Sequence, residues 1–232
     1  MRTLLIECAT DTAIIAVRNG DIFARRISPD RGSHSVRLFQ LIEEALAECG
    51  ITIHDITLIV AGIGPGSFTG IRIAVASARM IAQVLGIPIV GLDTQMIYAA
   101  SAGGKPDDSV LVAFDAKKDR VFAALYAIGA DSTPVEIVSP GDYYPDELTR
   151  HFPNTGRTIM AGNGTERYEE IFCASAKKPL LIRSFVPDAL HAITIAEKMA
   201  GENPARYADP ASVIPHYARK SDAEMVSVKK NS

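Results

Sequence analysis

The chain is short of the residues that build the commonest ready-made sites. Only three of its 232 residues are cysteine: Cys8, Cys49 and Cys173. They are odd in number, far apart and without a Cys-x-x-Cys pair. This argues against a disulfide framework or a zinc ribbon and fits a reducing compartment. A dominant charge is lacking too. Twenty-four Lys and Arg face 27 Asp and Glu, for a formal net charge of −3, so no global basic field draws the chain to nucleic acid or an anionic membrane. Long apolar runs are missing, because Arg72, Arg79 and Gln83 interrupt the longest, and no segment is expected to span a membrane. Residues 1–7 have neither the apolar length nor the cleavage site of a signal peptide, and a cytoplasmic location is the expectation. The five histidines, His34, His54, His151, His191 and His216, never recur at i, i+4 and make no His-Glu-x-x-His, so no metal is expected. A Gly-x-Ser-x-Gly elbow is absent as well.

What is present is an ordinary globular balance, 47% hydrophobic and 22% charged, enough for a sizeable core in one large domain or two small ones. Residues 2–6 read as a buried strand, 13–18 as a second and 21–26 as a third, with Asn19-Gly20 as a hairpin turn. Leu38, Leu41, Ile42, Ala45, Leu46 and Cys49 share one helical face, in a helix opened by Ser33 and ended by Gly50. Residues 58–61 form an apolar strand, a helix runs to about Leu85 before Gly86 and Pro88, 87–90 is another strand, and Asp93 or Thr94 caps a helix to about Ala102. The breaker-rich stretch 103–108 divides the chain into lobes 1–103 and 104–232.

Past that boundary the pattern restarts, with strands at 110–114 and 121–126 around a turn at 115–119. Glu7 and Asp115 each end an apolar strand six residues before the next one begins. Gly62-x-Gly64 is echoed by Gly162-x-Gly164, each after an apolar strand. These echoes read as a weak internal duplication. Residues 188–199 read as a helix and 227–232 as a frayed end, whose Lys229 and Lys230 are the only basic residues there to offer RNA a contact.

Gly62-Ile63-Gly64-Pro65-Gly66-Ser67-Phe68-Thr69-Gly70-Ile71-Arg72 is the densest signal. Glycines let a backbone approach a ligand, and the helix that follows aims unpaired N–H groups at the turn, which suits a phosphate. Neither the P-loop nor the dinucleotide fingerprint fits, and a tight turn that docks strand to helix explains the same residues equally well. Glu7, Thr10, Asp11 and Thr12 make an acidic, hydroxyl-rich turn of the kind that holds magnesium and phosphate in phosphotransfer folds. Asp115 with Lys117 and Lys118 makes another; an ordinary polar turn is the alternative for both. Glu7, Thr10, Thr12, Gly64, Gly66 and Asp115 are therefore the candidates for a degenerate nucleotide site. Between residues 71 and 85 the only polar side chains are Arg72, Ser77, Arg79 and Gln83. A helix so apolar must be covered on both sides, by its own sheet and by a second helix or another subunit. Val36, Phe39, Ile71, Ala74, Val75, Ala78, Arg79 and Ala82 are the candidate partner interface, and packing inside the lobe is the plainer reading of the same helices.

The glycine turn and Ile6-Glu7-Cys8-Ala9-Thr10-Asp11-Thr12 closely resemble the bacterial TsaB (YeaZ) family. So do Phe114-Asp115-Ala116-Lys117-Lys118-Asp119-Arg120-Val121-Phe122 and the ending Pro215-His216-Tyr217-Ala218-Arg219. The match runs over nearly the whole chain and is poorest in the middle of the second lobe. The resemblance implies an α/β actin-like ATPase (ASKHA) fold, two ribonuclease-H-like lobes with mixed sheets flanked by helices. It implies a non-catalytic subunit in the synthesis of N6-threonylcarbamoyladenosine at position 37 of tRNAs reading codons that start with A. The implied partners are the TsaD transferase, which it binds and activates, and the TsaE ATPase. A homodimer forms when it is alone, tRNA is met only through the complex, and ATP or ADP is bound weakly if at all. Two departures stand out. Glu7 replaces the family's usual Asp, and Val90-Gly91-Leu92-Asp93-Thr94-Gln95-Met96 lacks the His-x-x-x-His that serves the catalytic relative's metal, which also removes the old peptidase assignment of the superfamily. The alternative is an ATP-dependent small-molecule kinase or hydrolase on the same fold, using Glu7, the glycine turn and Asp115.

Overall fold

The computed structural model describes residues 1–29 and 34–219, with the backbone alone for 34–36. Ser33, Lys229, Lys230 and residues 227–232 lie outside the described residues, as does the side chain of Val36.

Strands β1 (Arg2–Glu7), β2 (Ala13–Asn19) and β3 (Ile22–Ser28) form an antiparallel meander. Asn19 pairs with Ile22, so the turn residues are Gly20 and Asp21 rather than the expected Asn19 and Gly20. Gly20 alone takes a positive φ, of 59°, while the Asn19 amide is drawn away to donate to the Cys49 carbonyl. Helix α1 (His34–Glu48) follows. It ends in two reversed bonds, from the Gly50 N–H to Ala47 O and from the Ile51 N–H to Leu46 O, with Gly50 left-handed at φ 65°. Those bonds satisfy carbonyls that the helix leaves free. Then come β4 (Leu58–Gly62), α2 (Phe68–Leu85), β5 (Ile89–Leu92), two residues later than expected, and α3 (Thr94–Ala102). β4 runs parallel to β1 and β5 parallel to β4, giving the order β3-β2-β1-β4-β5.

The second sheet repeats this plan. β6 (Ser109–Asp115), β7 (Val121–Ile128) and β8 (Pro134–Tyr143) are antiparallel in turn. β9 (Thr158–Ala161) and β10 (Pro179–Ile182) add on parallel, in the order β10-β9-β6-β7-β8. Short helices α4 (Pro145–Thr149), α5 (Asn163–Arg167) and α6 (Glu169–Ser175) link them. The central strands β1 and β6 are buried on both faces, which is why they read as continuous apolar runs.

α1 and α2 cover one face of the first sheet. α7 (Leu190–Glu202) covers the other, setting Ala192, Ile193, Ala196 and Ala200 against Leu5, Ile14, Leu58, Val60 and Val90. Residues 190–213 thus pack on the first sheet although they follow the second in sequence, which corrects the expected boundary of the second lobe at 104–232. The chain passes between the sheets at 103–108 and returns at 183–189. By length and composition α2 would span a bilayer, but Gly70, Ile71, Ala74, Val75, Ala78, Ile81 and Ala82 are buried in the first sheet's core.

Candidate functional site

The two sheets face each other across a cleft at the ends of β1 and β6, where ligands bind in open α/β sheets. Two cavities share a floor of Thr10, Asp11, Phe114 and Asn163. One, of about 390 Å³, is walled by Gly66, Ser67 and Phe68 on one side and by Asp115, Ala116, Lys117 and Phe122 on the other. The other, of about 230 Å³, is lined by Thr12, Tyr98, Gly162, Glu166 and Ser184 to Val186.

Glu7 does not reach either cavity. Its side chain is fully buried, one carboxylate oxygen accepting from the Ala9 N–H and the other from the Thr94 hydroxyl at 2.8 Å. Gly62 lies flat against it, and a Cβ there would fall 1.9 Å from Oε2. Burial raises the carboxyl pKa to about 7, against the pull of the Ala9, Thr94 and Cys8 donors. The expected ligand is a structural acid that ties the β1–β2 turn to the start of α3.

The glycine turn makes its close approaches to its own chain. A Cβ on Gly66 would lie 2.3 Å from the Ala9 carbonyl oxygen, and one on Gly70 would lie 1.9 Å from that of Cys8. The Ser67 N–H donates to Ala9 O at 2.6 Å, and the Ser67 hydroxyl caps α2 by accepting from the Gly70 N–H at 3.3 Å. Gly64, at φ 98°, is absent from the lining of both cavities. It packs against Ile71 and the His216 carbonyl and accepts from the Thr94 N–H at 2.8 Å. Of the expected site glycines only Gly66 borders the cleft.

Thr10 and Thr12 do line it. The Thr10 hydroxyl donates to Thr12 O at 2.9 Å and accepts from the Thr12 N–H at 3.2 Å, with the Tyr98 hydroxyl 3.1 Å away. Asp115 faces the larger cavity but is already matched. It accepts from the Lys117 N–H at 2.9 Å, from Lys117 Nζ at 2.7 Å and from Arg167 at 2.9 Å. Burial pushes its pKa up, and these donors more than offset that, holding it below the usual carboxylate range. Lys117, Lys118 and Asp119 beside it take φ of 60°, 53° and 56°, three successive non-glycine residues in the left-handed region.

Sequence reasoning missed Asn163. Its Oδ1 accepts from the Asp115 N–H at 3.0 Å and its Nδ2 donates to Asp11 at 3.3 Å, a direct polar contact across the cleft. The signal was its place inside the glycine echo at 162–164. Among the described residues no group of three or more His, Cys, Asp and Glu is placed to hold a metal ion.

The expected interface needs correction. Ile71, Ala74, Ala78 and Ala82 point into the first sheet's core and offer no surface to a partner, while Val75, largely buried in the same core, also borders the groove on the outward face of α2. Arg79 is half-buried, and Phe39 is 48% exposed. The outward face of α2 carries Met80, 50% exposed, and Val84, 77% exposed. Beside them a groove of about 530 Å³ runs along Arg72, Ala76, Arg79, Met80 and Gln83 to Pro215 and Tyr217.

A family model described as TsaD, tRNA N6-adenosine threonylcarbamoyltransferase, matches residues 30–225. An uncharacterized protein of Mycobacterium tuberculosis is 27% identical over 227 residues, 95% of this chain and 94% of that one. The tRNA threonylcarbamoyladenosine biosynthesis protein TsaB of Bacillus subtilis is 34% identical over 127 residues, 54% of this chain and 55% of the relative. TsaB of Escherichia coli is 32% identical over 127 residues, 54% of this chain and 55% of the relative. Among solved structures, YeaZ from Pseudomonas aeruginosa superposes with a TM-score of 0.79 at 22% identity, over 93% of this chain and 99% of that chain.

Proposed function

The chain belongs to the TsaD family and is a homologue of TsaB (YeaZ), and from that premise we propose that it serves tRNA threonylcarbamoyladenosine biosynthesis as a scaffold rather than as the transferase. The observation that carries this reading is the state of the two strand-end acids. Glu7 is buried and committed to Ala9 and Thr94, and Asp115 is committed to Lys117 and Arg167. Neither carboxylate is left to hold a magnesium–phosphate group or to move a proton on a substrate.

The partner in this reading is the TsaD transferase, activated by the contact. It docks on the outward face of α2, covering Met80 and Val84, with Phe39 of α1 contributing from its exposed side. Exposed apolar side chains rimmed by Arg72, Arg79 and Gln83 have the make-up of an association surface. The same face joins two copies of the chain when the transferase is absent. The TsaE ATPase joins the pair, tRNA is met through the assembly, no cofactor is required, and the work is cytoplasmic. Reconstitution tests this. The transferase with this chain forms the modified adenosine on tRNA, and Val84→Glu, which places a charge at the centre of the face, abolishes stable association and the modification together. Full modification with Val84→Glu and Met80→Glu would reject the docking face.

One observation favours the kinase or hydrolase reading: the start of α2 and Lys117 border the same cavity. Calorimetry with ATP and magnesium decides it. Tight binding that Asp115→Ala removes would support that reading, and no heat is the result expected here.

A further inference from the structure

The segment 213–219 bridges the lobes in addition to the two chain crossings, the Asn163–Asp11 contact and the packing of Tyr98 and Ala99 of α3 against Val110, Val112 and Tyr126 of the second sheet. Its first half is fixed to the first sheet. Val213 is buried in that core, the His216 N–H donates to Ile63 O at 2.8 Å, and His216 Nδ1 lies 2.7 Å from Asp93. Tyr217 stacks on Phe68 with ring centroids 4.8 Å apart and accepts from Arg72 Nε at 2.9 Å. Two residues on, Arg219 grips the second lobe. It donates to both carboxylate oxygens of Asp142, at 2.8 and 2.9 Å, and to the Ala116 carbonyl at 3.2 Å. Asp142 is held in turn by Arg120, at 2.9 Å. The pair is largely buried, 19% and 11% exposed, and two-pronged, the kind of ion pair that fixes geometry.

The placement of this grip matters. The smaller cavity is bordered by 184–186, where the chain itself crosses between the lobes. The larger one is bordered by Phe68, Ala116 and Phe122, which are the residues under Tyr217 and Arg219. One end of the cleft is joined by chain and the other by the strap. The strap also carries Pro215 and Tyr217, which wall the groove on the outward face of α2.

We infer that the strap is a clasp that sets the angle between the lobes, and that through Pro215 and Tyr217 it links lobe closure to the shape of the α2 groove. Whatever occupies the groove then shifts the closure of the cleft, and closing the cleft shifts affinity at the groove by the same factor. The second half of this statement rests on the docking face proposed above; the clasp does not.

Spin labels on the exposed positions Ala47 and Glu170, with Cys173 replaced by Ser, report the interlobe distance by pulsed electron resonance. Arg219→Ala and Asp142→Ala lengthen and broaden the distribution, while Arg2→Ala, which removes an ion pair within the first lobe, leaves it in place. If Arg219→Ala is too unstable to measure, Arg219→Lys gives a smaller shift in the same direction. Distributions for Arg219→Ala or Arg219→Lys that superpose on the unaltered chain would overturn the clasp. In titrations with the transferase, Arg219→Ala changes the affinity about tenfold, within the usual range of couplings between sites. Unchanged affinity with a shifted distance would overturn the link alone. No binding by any form would reject the docking face and leave the clasp standing.

Discussion

Glu7 and Asp115 hold equivalent places in two lobes of the same topology, and they have opposite fates. Each closes the central strand of its sheet and pairs with the opening of the next, Glu7 with Ile14 and Asp115 with Val121. Glu7 lies in the core among neutral donors only, and burial there disfavours its charged form, so its pKa rises to about 7. Asp115 sits among cations, and its pKa falls. Topology sets where a strand-end acid stands, whereas the neighbours decide whether it is a buried hydrogen-bonding post or half of a surface ion pair. The extra methylene of Glu over Asp lets the first acid reach Thr94, on the far side of the glycine turn.

The glycines of the two lobes extend the comparison. Gly70 in the first lobe and Gly164 in the second both lie against the end of the central strand, but a Cβ would come within 1.9 Å of an oxygen at Gly70 and only within 2.8 Å of a carbon at Gly164. Gly70→Ala is expected to cost about 4 kcal/mol and Gly164→Ala about 2, measured by denaturant unfolding, since forced overlap with backbone is among the few causes of large losses. Equal costs would break the comparison. A control, Gly201→Ala, meets nothing within 4 Å and gains up to about 1 kcal/mol from helix propensity.

The acids differ in the sign of their pH dependence. Folded Glu7 keeps its proton between pH 4.5 and about 7, where the unfolded chain has lost it. Its contribution is therefore full below 4.5 and is lost as pH rises through 7, by roughly 3 kcal/mol at ~1.4 kcal/mol per unit. Glu7→Gln removes that decline, and the slope of stability against pH between 5 and 7 reads it. An unchanged slope would mean that Glu7 is not buried as an acid. Asp115 behaves in the opposite way, stabilising above its unfolded pKa and losing that as pH falls. Asp115→Asn costs about 1 kcal/mol at neutral pH, as expected for a partly solvated pair, and progressively less as pH falls below the ordinary carboxylate range. Val84→Glu has the smallest effect on folding, within about 0.5 kcal/mol for an exposed position.

The first lobe was far more legible than the second. Its strands β1, β2 and β4 carry continuous apolar runs, its α1 has one clean face, and Gly50 and Gly86 mark helix ends that the structure keeps. The second lobe hides its elements. β8 has an exposed outer half with Val135 and Ile137 turned to solvent, contains Pro140 and Gly141, and shifts register against β7. Its helices run five to seven residues, too short for periodicity to declare them. On α2 the apolar content is legible, but the burial of Ile71, Ala74, Ala78 and Ala82 is not. Small and large apolar residues ring that helix, so sequence alone does not say which side the sheet takes, and the sheet takes Ile71, Ala74, Ala78, Ile81 and Ala82 while Ala76, Met80 and Val84 face outward. In the cleft, composition named Glu7 and Gly64 as ligands, but only coordinates show that their neighbours within the chain already use them. Arg219 was legible as part of a motif, but its role required knowing that Asp142 lies beside it.

On the function proposed above, the working surface is the outward face of α2 and not the cleft. Titrating the transferase with the unaltered chain, with Val84→Glu and with Asp115→Asn measures this most directly. The account predicts that Val84→Glu binds at least about tenfold more weakly, a loss of 1.4 kcal/mol or more, and that Asp115→Asn binds as the unaltered chain does. Weakened binding by Asp115→Asn together with unchanged binding by Val84→Glu would contradict it.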